Sequence, residues 1–445
     1  MTRGSAAGDA KPRRGALLRR SVLVTPFLVS VVAAALTGAT PATADPPPRV
    51  GIVCTTGTGG AATSPIFNLT TKTGYISLPD ANTAFMWGYS SGFESFQHPG
   101  PVLCVNQGDT VTVILHNTLP EAASIVFLGQ ANVLADGTPA QPEFNGGGTM
   151  TSLTKTAAAD NGSVTYSFVA SQPGSYLYES GTNPEKQVRM GLFGALIVRP
   201  TMGADHAYNR ADSQFTPTEE FMVLLSEIDP YQHQAVEQGK TFNLNNYHPR
   251  YWLINGRGFP DSIADNGASW LPTQPYGALA EILPYDAATH PLPAMARYLN
   301  VGTEDYPFHP HGNNGLVIGR DGRPLEGPTG QDLSFEKFDI NIGPGQTWDV
   351  LFKWYDAEGY SPSNPVPVTV PSLANQVIGV FYSGSPYLGT KETLPPGTQS
   401  LNQCGEYYII SHNHALFQIT SWGVNMTGPI TYMRIDPPAP NGCTP

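Results

Sequence analysis

Charge is scarce in this 445-residue sequence: Asp, Glu, Lys and Arg together make up 13% of it, about half the usual quarter of a globular chain. Basic residues are scarcer still, with 23 Lys plus Arg against 35 Asp plus Glu. A chain this poor in cations has no footing on a phosphate backbone, so nucleic acid is excluded as a partner. Long helical periodicity is absent, which excludes bundles and coiled coils. The apolar run Val22–Leu36 is shorter than the roughly 20 residues of a membrane span. Cysteines number only four, Cys54, Cys104, Cys404 and Cys443, too few for a disulfide-built scaffold.

What is present at the start is a targeting pattern. Arg13, Arg14, Arg19 and Arg20 precede the apolar run, and Ala42-Thr43-Ala44 follows it before Asp45. This is the layout of a signal peptide over residues 1–44, cleaved near Ala44, with export as the expected destination. A membrane anchor is the other reading of the apolar run; its length and the small-residue site favour cleavage. The two Arg-Arg pairs also admit a twin-arginine signal, a route that exports folded proteins. Loss of residues 1–44 removes six basic residues and one acidic one, leaving 17 Lys plus Arg, 34 Asp plus Glu and a net charge of −17. In an oxidising compartment the even cysteine count suggests disulfides, assigned as Cys54 with Cys104 and Cys404 with Cys443. The second would close a loop of about 40 residues, worth on the order of 4 kcal/mol.

The rest reads as all-β. Gly (47) and Pro (42) are abundant, and with Asn and Asp they break the chain into short β-branched or aromatic runs. Strands are expected over 110–115, 163–169, 194–198, 221–226, 296–300, 348–353 and 406–410. The length suits two domains, and two Greek-key β-sandwiches fit the pattern best: residues 45–200, a polar linker 201–218, and residues 219–445. A weak repeat supports duplication. Gly108-Asp109-Thr110-Val111 and Gly343-Pro344-Gly345-Gln346-Thr347 both lead into alternating strands, and each half closes on an apolar strand.

Two His-x-His pairs, His309/His311 and His412/His414, lie in the second half. Alternate residues of a strand share a face, so each pair projects two imidazoles together with Cα atoms about 6–7 Å apart. Imidazole suits copper, zinc and related late first-row metals. One such pair arises readily by chance among ten histidines; two in one domain are a stronger signal. The alternative is four polar strand residues hydrogen-bonded at a sheet edge. The aromatic neighbours Tyr306, Phe308, Tyr407 and Tyr408 place the imidazoles in a partly buried setting where they need partners. His98, His116, His206, His233, His248 and His290 lack a paired neighbour and are expected to be surface or capping residues. Asp305 is a candidate acceptor for an imidazole N–H.

Pro307-Phe308-His309-Pro310-His311-Gly312 resembles the histidine motif of multicopper oxidases, and Tyr408–His414 resembles their C-terminal His-Cys-His strand. The resemblance extends to Pro99-Gly100-Pro101, Gly108-Asp109-Thr110-Val111, Pro173-Gly174-Ser175-Tyr176, Gly191–Val198 and Trp252–Arg257. It implies two cupredoxin-like domains and copper. In that family a trinuclear cluster takes eight histidines from four His-x-His motifs, two in the first cupredoxin domain and two in the last. Here the first two motifs read Val126-Phe127-Leu128 and Glu179-Ser180-Gly181. Asn413 stands where the blue-copper cysteine belongs, and Tyr306 where its upstream histidine belongs.

What the resemblance therefore implies is one or two copper ions on His309, His311, His412 and His414, without a full trinuclear cluster and without a blue site, since blue copper needs a thiolate. Electrons would come from a small reductant or a donor protein. In two-domain relatives that assemble as trimers, the first domain of one subunit faces the second of its neighbour, and Glu179 would then supply a carboxylate; its other reading is a solvated residue at a strand end. Three functions compete: a copper-dependent oxidoreductase, a non-catalytic copper-binding or sequestering protein, and a structural module.

Overall fold

Continuous apolar runs such as Ala195-Leu196-Ile197-Val198 and Phe221-Met222-Val223-Leu224-Leu225 ask for strands covered on both faces. The computed structural model, which describes residues 47–58, 63–354, 367–369, 399–401, 407–438 and 440–441, shows what covers them. Residues 66–199 form a six-stranded and a four-stranded sheet, and residues 220–435 form a seven-stranded and a five-stranded sheet. Each pair of sheets closes on its own core. The result is all-β, two cupredoxin-like sandwiches in one chain.

The expected duplication is visible in the connectivity. Ile66–Ser77 lies parallel to Thr110–Asn117 in the first sandwich, and Glu220–Ile228 lies parallel to Ala294–Asn300 in the second. Each sandwich also has a second parallel pair in its other sheet, Leu103–Asn106 with Phe193–Arg199 and Ala280–Ile282 with Ile430–Ile435. Strands observed at 110–117, 162–169, 193–199, 220–228, 294–300, 347–352 and 407–413 cover the expected ones within a few residues. The longest described helix, Pro230–Glu237, is held at its start by the Asp229 carboxylate, which accepts from the N–H groups of Tyr231 and Gln232.

Between the sandwiches lies a third apolar cluster. Leu177, Phe193, Ala195 and Ile197 of the four-stranded sheet meet Met222, Leu224, Leu299 and Val301 of the seven-stranded sheet. Leu196 and Val198 face the first core, and Phe221, Val223 and Leu225 face the second. Both strands are thus buried on both sides. The segment expected as a polar linker is also anchored: Ala207, Tyr208 and Phe215 are buried against Met295, Ile318 and Leu351.

At one edge of this seam sits a charged cluster. Arg297, fully buried, donates to Glu220 at 2.5 Å, to Ser175 Oγ at 2.9 Å and to Asp349 at 3.4 Å. Arg199 reaches Glu220 at 2.6 and 2.7 Å, while Ser175 and Tyr208 each donate to Asp349 at 2.6 Å. Ser175 and Arg199 belong to the first sandwich and Glu220, Arg297 and Asp349 to the second, so the cluster pins one to the other.

Cys54 and Cys104 are disulfide-bonded, with Cα atoms 5.5 Å apart. Residues 1–44, Glu406, Cys404 and Cys443 lie outside the described residues. Three of the six unpaired histidines depart from expectation. His98, His206 and His233 are buried, His98 at 1% exposure and His233 at 2%, because the seam and the sheet edges close over them. Burial pushes the His98 imidazole down to about 3, with His233 a secondary cause. Of the six, only His248 is exposed.

Arg297→Ala would leave Glu220 and Asp349 buried without their shared cation. The expected cost is about 3–5 kcal/mol in chemical denaturation, and a loss under about 1 kcal/mol would show that the cluster does not pin the sandwiches.

Candidate metal centre

Within the five-stranded sheet, Tyr306–Pro310 and Tyr407–Asn413 run antiparallel with His309 directly opposite His412. Period-2 alternation sends Tyr306 and Phe308 into the core and turns His309, His311, His412 and His414 to the outer face. The sheet's inner face meets the seven-stranded sheet, whose own outer face meets the first sandwich. Two sheet spacings, roughly 20 Å, therefore separate the histidine face from the interdomain seam. Glu179, paired with Val126 and Phe193 in the first sandwich, is not brought to the histidines within one chain. It is largely buried there, which pushes its carboxyl up to about 7.

The four imidazoles converge. Ring centroids are 4.4 Å apart for His309 and His311, 5.1 Å for His311 and His412, and 5.5 Å both for His309 with His414 and for His412 with His414. His309 Nδ1 lies 2.6 Å from the Phe338 carbonyl oxygen, and His412 Nδ1 lies 2.8 Å from that of Asn413. A carbonyl only accepts, so both rings carry their proton on Nδ1 and present a bare Nε2. That is the tautomer a metal requires. His311 Nε2 and His412 Nε2 stand 3.0 Å apart. With metal–nitrogen bonds of about 2.0 Å, this edge subtends roughly 95–100° at an ion, the angle of neighbouring ligands in a tetragonal or flattened tetrahedral site.

Among the described residues no three His, Cys, Asp or Glu side chains already close around one point as ligands. The His311/His412 edge is the one place in the quartet where two ring nitrogens lie within hydrogen-bond distance. His414 is exposed, His309 and His311 are half-buried and His412 is buried. Burial, then the three neighbouring imidazoles, holds His311 down at about 4. His412 is also lowered, chiefly by burial, with Asp339 acting in the opposite direction. Both rings stay neutral at pH 7, the form that ligates.

On the inner side of the same strands, the positions of the expected blue-copper ligands hold a hydrogen-bonded network. Tyr306 donates to Glu227 at 2.6 Å, and Thr303 donates to the same carboxylate through its N–H and its hydroxyl. Buried Asn413 donates to Gln418 Oε1; Gln418 Nε2 donates to Glu304 at 2.6 Å, and Trp252 Nε1 donates to Glu304 at 2.8 Å. Asp305 is exposed and gives its main-chain oxygen to Gln418, at 3.2 Å, in place of the imidazole contact expected of it. Glu227, Glu304 and Gln418 were not singled out in the sequence. The one signal was local: Gln418 follows Asn413 by five residues, across a single turn.

Residues 73–203 match the family model described as a multicopper oxidase. Over those residues the first sandwich is similar to multicopper oxidases. Among curated proteins it is 27% identical to L-ascorbate oxidase of Cucurbita maxima over 61% of this chain and 43% of the relative. It is 29% identical to copper resistance protein A of Escherichia coli over 38% and 25%, and 24% identical to laccase-1 of Cryptococcus neoformans over 57% and 37%. The chain thus spans less than half the length of these relatives. Two solved structures share its fold, a multicopper oxidase called mgLAC and a blue copper oxidase from Nitrosomonas europaea. Each has a TM-score of 0.53, the first at 19% identity over 84% of this chain and 86% of that one, the second at 17% over 84% and 85%.

The acid behaviour of the metal-free site follows from His311. Its folded pKa lies below the ordinary 6.5, so the unfolded chain takes up the proton first and acid favours unfolding. The contribution is complete above about pH 6.5 and declines as the pH falls toward about 4. In an NMR titration the His311 ring is expected to titrate near 4; a midpoint near 6.5 would mean that its ring is solvated.

Proposed function

We propose that this protein is a copper-binding oxidoreductase of the multicopper oxidase frame, with its metal on His309, His311, His412 and His414. The observation that carries the proposal is the outer-face quartet with two Nε2 atoms bared by carbonyl contacts and two Nε2 atoms 3.0 Å apart. The donor set fits: imidazole nitrogens suit copper, and the similar proteins are copper oxidases. One or two ions are expected. A bound copper ion supplies one-electron redox chemistry.

The residues of the chain do the rest. Phe338 and Asn413 fix the tautomers through their carbonyls, and the sheet fixes the spacing. Gln418 and Asn413 fill the inner position with amides instead of a thiolate and imidazoles. Electrons would therefore reach the outer face directly, from a small reductant or a donor protein. A trimer in which a neighbour's first domain covers the histidine face, bringing its Glu179, and export after cleavage near Ala44 complete the reading.

One observation favours a second function, copper binding without turnover. Tyr306, Asn413 and Gln418 are bonded to one another's neighbours and to carboxylates, so the inner side offers no electron relay.

Metal-free protein titrated with Cu(II) is expected to bind one or two equivalents and to give a type 2 paramagnetic resonance signal, with no intense absorption near ~600 nm, where a thiolate–copper site absorbs. Changing His309 and His412 together to Ala should abolish binding. An intense blue band, or retention of copper by the double variant, contradicts the assignment. Tight binding without oxidation of phenols, metal ions or other reductants selects the second function, and no metal binding at all leaves a structural module.

A further inference from the structure

The strand Ile340–Ile342 lies beside Tyr306–Pro310 on the side away from Tyr407–Asn413. Tyr306 faces Ile342, Pro307 faces Asn341 and Phe308 faces Ile340. Asp339 lies in the bend just before this strand, next to Phe338, whose carbonyl oxygen meets the Nδ1 of His309 at 2.6 Å; on its other flank His309 is opposite His412. Asp339 is thereby placed beside the His309/His412 pair on the outer face.

Three features of Asp339 are unusual for a lone carboxylate. Its Oδ1 is shielded from water and has no hydrogen-bond partner among the described residues. It is near enough to His412 to act on that ring's charge. It also lines an open cleft of about 660 Å³ at the edge of the sheet, with Pro307, Lys337, Asn341, Glu304 and Gln418. A shielded carboxylate oxygen without a donor is costly unless a cation arrives. Resting on the copper reading above, we propose that Asp339 is a fifth ligand of that centre, a carboxylate oxygen supplied by the same chain.

The chemistry is consistent with this. Cupric ion on four neutral imidazoles keeps its full double charge in a half-buried site, and one carboxylate halves it. Carboxylate oxygen also prefers the cupric over the cuprous state, because it is a harder donor than imidazole. The site would thereby hold oxidised copper more firmly than reduced copper without help from a neighbouring subunit.

Asp339→Asn preserves shape and removes the charge. Competition titration of the metal-free protein with Cu(II) against a chelator is expected to show affinity lowered tenfold or more. The type 2 signal should move toward the parameters of an all-nitrogen ligand set. Without copper the variant should unfold no earlier than the wild type, since the unpartnered oxygen loses its charge; Asp339→Glu should recover most of the affinity. If wild-type protein binds copper and Asp339→Asn binds it equally with an unchanged signal, the Asp339 assignment is overturned and the histidine site stands. If wild-type protein binds no copper, both fall together.

Discussion

Met222 and Leu224 point to one apolar layer and Phe221, Val223 and Leu225 to another, and this two-sided burial of the seven-stranded sheet orders the rest of the molecule. A sheet covered on both faces must lie in the middle. The first sandwich takes one side of it and the five-stranded sheet takes the other; the outer face of the five-stranded sheet is covered in part by Phe259, Ile263 and Leu279 over Ile410, Ile430 and Tyr432, and carries the histidines beyond that cover. The charged cluster of Arg297, Glu220, Arg199 and Asp349 fixes the angle between the sandwiches. The histidine quartet is therefore held on a rigid sheet and turned away from the residues of its own first domain.

The same strands carry two chemistries on opposite faces. Outward, His309 and His412 are directly opposed, and carbonyl oxygens hold their protons on Nδ1. Inward, Tyr306 and Asn413 are bonded into carboxylates and amides. A single-residue step along each strand separates the side that carries the four histidines from one whose polar groups are bonded to amides and carboxylates. Glu227 and Glu304, each accepting several donors, compensate for polar groups that would otherwise be stranded in a core.

Much of this was legible in the sequence. Turn residues and alternating runs marked the strands, and the order of motifs marked the two sandwiches. The spacing of His309/His311 and His412/His414 placed each pair on a common face, which is a property of strand geometry alone. The pairing of His309 with His412 was not legible, because register depends on contacts between segments about a hundred residues apart. Nor was the burial of His98 and His233, since each is covered by the other sandwich's neighbourhood and has no local apolar pattern. Asp339 was missed for the same reason: nothing near it in sequence points to His309, and only the contact between the Phe338 carbonyl and His309 does. The anchoring of residues 201–218 was concealed by their polar composition, which hides Tyr208 and Phe215.

The central claim is that the outer face of the five-stranded sheet is the copper site and the inner side is not. Anomalous scattering at the copper edge from crystals of the copper-loaded protein tests it most directly. A peak bonded to His311 Nε2 and His412 Nε2 is the expected result. A peak beside Asn413 and Gln418, or no peak on the outer face at full loading, would contradict it.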